Sequence, residues 1–353
     1  MKEQNASEAG RPDPSAATVR KPRAAYFYDP RQGEKVYGPQ ERALLAERLD
    51  LEAARVLTRT NWREHRGLLA RTRILVSTWG GPVVDEEFLE AAPELDLLLY
   101  GAGSIRGTMT AAAWERGVRV TTAAEANAVS VAHFSVSQIL FCLKNGWQLS
   151  RRATAGENSL WGPEKPMPGT FGTTVGLVSL GLIGTKVAEL LEPFGLRVLA
   201  YDPLADDEHF DRAGAEKAGL EDLFAASDVV SIHAPLLPAT RGLIHGGLLR
   251  SLKPGAGLIN TARGPVIDEP SLVEVFSERE DLTAVLDVSD PEPPAPDSPL
   301  RRLPNIVLTP HIAGAFNREC RRLGRAMVGE LERYLRGEPL LHEIHAREFE
   351  IRA

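Results

Sequence analysis

The stretch VGLVSLGLIGTKVAELLEPFGLRVLAYDP, residues 175–203, decides the fold. Val175 to Leu180 is an apolar run of strand length. A Gly181-Leu182-Ile183-Gly184 turn follows, and Val187, Leu190, Leu191 and Phe194 then recur at helical spacing, giving one apolar face for packing. Gly195 marks the helix end, and Arg197 to Tyr201 reads as a second buried strand closing on Asp202. Strand, helix, strand and acid make a βαβ unit suited to a dinucleotide. A helix N-terminus presents unpaired N–H groups and a favourable dipole to a pyrophosphate. An acid at the tip of the second strand accepts hydrogen bonds from the adenosine ribose. Set against Gly-x-Gly-x-x-Gly, the chain has Ser179 in the first place, and keeps Gly181 for phosphate approach and Gly184 for helix–strand packing.

Working outward, 353 residues provide about two domains and a sizeable core. The composition is ordinary for a globular chain, with 43% hydrophobic and 25% charged residues. A net charge of −7 argues against a nucleic-acid surface. No segment is long and apolar enough to span a bilayer, so no membrane partner is expected. Cys142 and Cys320 fall in apolar helical patterns and read as buried thiols of a reduced, cytoplasmic protein. Residues 1–22 are polar, rich in Pro, Ala and Ser, and read as a disordered tail rather than a signal peptide.

From Ala24 the pattern alternates. Ala24–Tyr28, Ala54–Thr58, Arg73–Ser77, Leu95–Tyr100 and Val118–Thr121 are strand-like, with helical stretches such as Pro39–Leu49 and Asp85–Ala92 between them. This implies a parallel sheet with right-handed crossovers. Loops at Thr78-Trp79-Gly80-Gly81, Gly101-Ala102-Gly103-Ser104 and Ala124-Glu125-Ala126-Asn127 then lie at the strand ends where ligands bind. A long helix from Val129 crosses to the second half, followed by a polar Gly- and Pro-containing stretch, Arg151–Thr170. Val175–Leu180, Val198–Tyr201, Val229–His233, Gly257–Thr261, Ala284–Val288 and Ile306–Thr309 give six strands for the dinucleotide sheet. Cys320 to Leu335 forms an amphipathic helix near the C-terminus. The expected fold class is α/β, two doubly wound parallel sheets. The expected boundaries are 23–126 with 317–353 for a substrate domain and 127–316 for an inserted Rossmann domain.

Three polar residues fall at or just past strand ends in the second half: Arg263 in Leu258-Ile-Asn-Thr-Ala-Arg-Gly264, Glu292 in Asp287-Val-Ser-Asp-Pro-Glu-Pro293, and His311 in Thr309-Pro-His-Ile-Ala-Gly314. With the Gly-rich turn they make four motifs in order: Gly-rich turn, Arg-Gly-x-x-x-Asp, Asp-x-x-x-x-Glu-Pro and Thr-Pro-His. In these the chain, from Ala24 to its C-terminal helix, resembles the D-isomer-specific 2-hydroxyacid dehydrogenase family. The resemblance implies a flavodoxin-like substrate domain, a homodimer formed through the cofactor half and the long helix beginning near Val129, no metal, and a small 2-oxo or 2-hydroxy acid as partner. It implies hydride transfer between a nicotinamide and that acid, with His311 as acid in reduction and base in oxidation. Histidine suits this role because it ionises near neutrality. Glu292 would stabilise the imidazolium, and Arg263 would hold the substrate carboxylate through its planar fork.

Residue by residue, the resemblance puts Thr261, Ala262 and Asp287 around the nicotinamide, with Arg263 and His311. It puts His233, Ala234 and Pro235 near the adenosine. Thr78, Trp79, Gly80, Gly101, Ala102, Gly103 and Asn127 would face the substrate. His133 stands where relatives carry glutamate and reads as a half-buried structural histidine; Ala313 replaces a common glycine. Asp202 would repel a 2′-phosphate and residues 203–207 supply no base, so NAD(H) is the expected cofactor. The chain ends soon after its amphipathic helix, which counts against an allosterically regulated phosphoglycerate dehydrogenase. Glu292 counts against a formate dehydrogenase, whose relatives carry glutamine there. Glycerate, hydroxypyruvate, glyoxylate, larger 2-oxo acids and phosphite stay open. The alternative is a dimeric NAD-binding sensor of the corepressor kind.

Overall fold

The computed structural model describes residues 20–157 and 167–349. The tail expected over residues 1–22 therefore lies almost wholly outside the described residues. The first half carries β1 (Arg23–Phe27), α1 (Pro30–Val36), α2 (Pro39–Arg48), β2 (Asp50–Leu57), α3 (Arg66–Leu69), β3 (Ile74–Ser77), α4 (Glu86–Ala91), β4 (Leu97–Tyr100), α5 (Ala111–Glu115) and β5 (Arg119–Thr122). Then α6 (Ala124–Cys142) and α7 (Gly146–Thr154) lead to the second half. That half has β6 (Thr174–Val178), α8 (Leu182–Leu191), β7 (Arg197–Tyr201), α9 (Asp207–Ala213), β8 (Glu216–Lys217), α10 (Leu220–Ala226) and β9 (Val229–Ile232). It continues through α11 (Gly246–Ser251), β10 (Gly257–Asn260), α12 (Glu269–Glu278), β11 (Thr283–Leu286) and β12 (Ile306–Leu308). Finally α13 (Cys320–Leu335) and β13 (Glu343–Ile344) return to the first half.

The first sheet runs β13-β5-β4-β3-β1-β2 and is parallel except for β13, which pairs antiparallel with β5. Without β13 this is the flavodoxin-like strand order. The second sheet runs β12-β11-β10-β9-β6-β7-β8 and is parallel throughout, the order of a dinucleotide-binding fold. Each sheet is buried on both faces. Leu75 packs into one cluster and Val76 into the other, as do Leu258 and Ile259 in the second half, because successive strand residues face opposite ways.

Several expectations need correction. The second sheet has seven strands, not six: Glu216–Lys217 is too short to stand out as a periodic run, yet pairs with β7. The stretch Arg151–Thr170 is partly helical, since α7 reaches Thr154. The helix after the Gly-rich turn ends at Leu191, and Pro193, which has no N–H to continue the ladder, sits in the 3-10 turn that follows; Phe194 is exposed rather than packed, and Leu190 is exposed too. Ala124 to Asn127 is the first turn of α6, not a loop. His133 is exposed on α6 rather than half-buried. Cys142 and Cys320 are free and buried, and burial pushes the Cys142 thiol up to about 12.

Candidate active site

In each sheet, strand order reverses between two neighbours, β1/β3 in the first and β6/β9 in the second, and the loops leaving their carboxyl ends open a crevice. The Gly-rich turn leaves β6. Its geometry explains the glycines. A Cβ on Gly184 would stand 2.0 Å from the Ser179 carbonyl oxygen, so only glycine lets α8 start so close to the strand. Gly181, Leu182 and Ile183 form the entry of α8. Gly181 is its N-cap and brings no capping side chain, and a Cβ there would meet nothing nearer than the Ser179 hydroxyl at 3.9 Å. First-turn N–H groups therefore stay open for an anion, the requirement of a pyrophosphate.

Asp202, at the end of β7, reaches back to this turn. Its Oδ2 accepts from Ser179 Oγ at 3.0 Å and Leu180 N at 2.8 Å; its Oδ1 accepts from Leu204 N and Ala205 N. His233, just past β9, lies beneath Gly184, its ring 3.7 Å from where a Cβ would be. Both its ring nitrogens are buried without a partner among the described residues, and burial pushes it down to about 3, so it is neutral at physiological pH. Ala234 is buried beside it and Pro235 half-buried; the Pro235 carbonyl accepts from Thr240 Oγ1 at 2.5 Å. An empty capping position, an acid at the tip of β7 and a buried orphan histidine around one turn fit an NAD molecule.

The three candidate catalytic residues converge. His311 Nδ1 stands 2.5 Å from Glu292 Oε1, with side chains 49% and 40% exposed, so both are open to solvent. Arg263 is partly buried; desolvation pulls its guanidinium below the usual range, and the Glu292 charge opposes that. Two backbone devices bring them together. Asn260 accepts from Ala262 N and donates to the Arg263 carbonyl, each at 3.0 Å, fixing the loop after β10. Gly264 lets that loop lie against the next one: a Cβ there would be 2.2 Å from the Ser289 carbonyl group. Thr261 and Ala262 are buried in the same loop, and Thr261 Oγ1 meets Ser135 Oγ of α6 at 3.2 Å.

Asp287 is 1% exposed. Its Oδ1 accepts from Thr309 Oγ1 at 2.6 Å and Ile312 N at 2.8 Å, and its Oδ2 from Ala313 N at 2.8 Å. Its backbone carbonyl accepts from His311 N. His311 itself adopts φ 54°, a left-handed conformation that this ring of hydrogen bonds holds in place. Asp287 thus builds the loop that carries His311.

On the first sheet the outcome is mixed. Asn127 joins the two halves: its Oδ1 accepts from Ala315 N at 2.8 Å, and its Nδ2 lies 3.9 Å from where a Cβ on Gly103 would be. Trp79 is half-buried between the two cores of the first half. Thr78, Gly101 and Ala102 are buried. Thr78 is fully buried and its hydroxyl donates to the Gly101 carbonyl at 2.7 Å; Gly101 abuts the Tyr37 hydroxyl; Ala102 is 1% exposed. Gly80 has φ 80° and packs on the Asp29 backbone. Tyr100 is buried and Arg106 stacks on Phe349, donating to its carbonyl. Sequence reasoning missed Arg59, whose guanidinium bonds the Gly81 and Gly107 carbonyls and so ties the loops after β3 and β4. It also missed Asn260. Asn260 could have been found as the polar residue ending an apolar strand two positions before Ala262; nothing marks Arg59.

The profile described as "D-isomer specific 2-hydroxyacid dehydrogenase, NAD binding domain" matches residues 136–313. The chain belongs to this family. Its second sheet is an NAD-binding domain. Relatives include the D-3-phosphoglycerate dehydrogenase of Archaeoglobus fulgidus, 31% identical over 74% of this chain and 49% of that one. The glyoxylate reductase of Korarchaeum cryptofilum is 33% identical over 75% and 80%. The chain spans about half the length of the curated phosphoglycerate dehydrogenases it matches. Among solved structures, one from Thermus thermophilus is 29% identical with a TM-score of 0.69 over 91% of this chain and 99% of that one. A phosphoglycerate oxidoreductase from Rhizobium etli, 23% identical over 93% and 99%, shares the fold with a TM-score of 0.78.

Proposed function

We propose that this chain is an NAD(H)-dependent oxidoreductase interconverting a small 2-oxo acid and its D-2-hydroxy acid. The observation that carries the reading is the short His311–Glu292 contact with the Arg263 guanidinium close enough to feel the Glu292 charge. NADH, when bound, supplies the hydride. With Nδ1 held by Glu292, His311 Nε2 is the nitrogen left to protonate the substrate oxygen in reduction and to take the proton in oxidation. Glu292 stabilises the imidazolium and fixes the ring's orientation. Arg263 binds the substrate carboxylate bidentately, and its partial burial strengthens that attraction. Asn127 and Gly103 offer the substrate its far wall.

The test is a panel of 2-oxo acids, including glyoxylate, hydroxypyruvate and pyruvate, with NADH or NADPH, followed by loss of nicotinamide absorbance. Turnover of at least one acid is expected, with kcat/KM at least about tenfold higher for NADH because Asp202 repels a 2′-phosphate. No turnover with any acid would move the reading to an NAD-binding sensor.

We further propose the boundaries 23–126 with 317–353 and 127–316, supported by the return of α13 and β13 to the first half. A homodimer formed through the cofactor half is supported by apolar side chains left exposed there: Phe141, Met167, Leu190, Phe194 and Phe171, the last 95% exposed. Sedimentation should give a mass near twice the monomer's; a monomer at micromolar concentration would refute this. A cytoplasmic location is supported by two free, buried thiols. No single described helix is long and apolar enough to cross a membrane.

A further inference from the structure

We propose that Ser179 competes with the adenosine ribose of the cofactor for the Asp202 carboxylate, and so sets how tightly this chain holds NAD(H). The proposal rests on the NAD(H) reading above. An ionised carboxylate has about four acceptor positions, and four donors occupy those of Asp202. A ribose hydroxyl that donates to Asp202 must therefore replace one of them.

Three of the four are fixed. Leu204 N and Ala205 N belong to the turn that Asp202 itself begins. The Leu180 backbone is held on both sides of its Cα: its N–H donates to Asp202, while its carbonyl accepts from Thr185 Oγ1 and meets His209 Nε2, both at 2.8 Å. Withdrawing any of these N–H groups means rebuilding the backbone. The Ser179 hydroxyl, at 3.0 Å, leaves by turning about one side-chain bond.

Ser179 also sits at φ 82°, in the left-handed region that glycine enters freely and serine does not. A glycine there would fold the same turn and leave Oδ2 with an open acceptor position. With serine, ribose binding exchanges one hydrogen bond to a charged oxygen for another instead of adding one. The free protein keeps its carboxylate satisfied, and the bound state gains less.

The experiment compares wild type, Ser179→Gly and Ser179→Ala by calorimetric titration with NADH, ADP-ribose and reduced nicotinamide mononucleotide. Both variants are expected to bind NADH and ADP-ribose about three- to tenfold tighter. Binding of the mononucleotide, which lacks the adenosine ribose, should not change. Ser179→Ala keeps a side chain on the left-handed backbone, so a gain shared by both variants belongs to the hydroxyl. A gain confined to Ser179→Gly would assign the effect to backbone strain and overturn the proposal. So would unchanged or weaker binding in both, with circular dichroism confirming that they fold. Failure of wild type to bind NADH or ADP-ribose would instead overturn the NAD(H) reading itself.

Discussion

Replacing His311 by glutamine is expected to lower kcat for 2-oxo acid reduction by about 10²–10⁴-fold, the usual contribution of a positioned proton donor. The glutamine amide fills much of the same space and can still donate to Glu292, which lies 2.5 Å from the native ring. It cannot deliver a proton at neutral pH. The dinucleotide cradle at Gly181, Gly184 and Asp202 is built by other loops, so most of the affinity for NADH should survive, and a titration separates the two effects. The pH dependence of kcat/KM should also lose the limb that belongs to the imidazole. A variant that kept a tenth of the wild-type rate would show that another group, or water, supplies the proton.

The second large effect is structural. Asp287→Ala removes the acceptor of Thr309 Oγ1, Ile312 N and Ala313 N at once. A buried donor left without a partner costs about 1–3 kcal/mol. Ile312 lies nearer the surface, so water recovers part of the loss, and a total of about 2–5 kcal/mol is expected. That is a large share of an ordinary domain's stability. The urea midpoint of the cofactor half should fall accordingly, and kcat should fall with it because the left-handed His311 backbone loses its frame. Asp287→Asn, which keeps one acceptor oxygen, should lie between. An alanine variant that melts like wild type would mean that the His311 loop is held elsewhere.

How much of this was legible in the sequence depends on the range of the interaction. The Gly-rich turn, Asp202 and the three candidate catalytic residues were readable because each sits in a local motif whose backbone demands are severe. The central strands were readable too: Leu97–Tyr100 and Gly257–Asn260 are buried throughout, and the sequence around them is mostly apolar. Long-range pairings were not. Nothing near Arg59 announces the carbonyls of Gly81 and Gly107, and β13 is two residues long with no pattern of its own. The loops after β3 and β4 carry a related ambiguity. A glycine at a strand end signals close approach, but not by what: at Gly101 it is the Tyr37 hydroxyl, and at Gly80 the Asp29 backbone. Asp287 was picked out by its motif, yet its role as builder of the His311 loop needed coordinates.

The return of α13 to the first half has a consequence for how the molecule is made. Cys320, Leu323, Met327 and Leu331 belong to the same core cluster as Tyr26, Tyr28 and Val36, some three hundred residues earlier. Every strand of the second sheet, by contrast, lies between Thr174 and Leu308. Since domains fold as units during synthesis, the half that begins first on the ribosome is finished last. Its tyrosine-lined face waits uncovered while the cofactor half closes, and a transcript truncated before residue 320 yields a chain with a complete nucleotide fold and an open, adhesive partner.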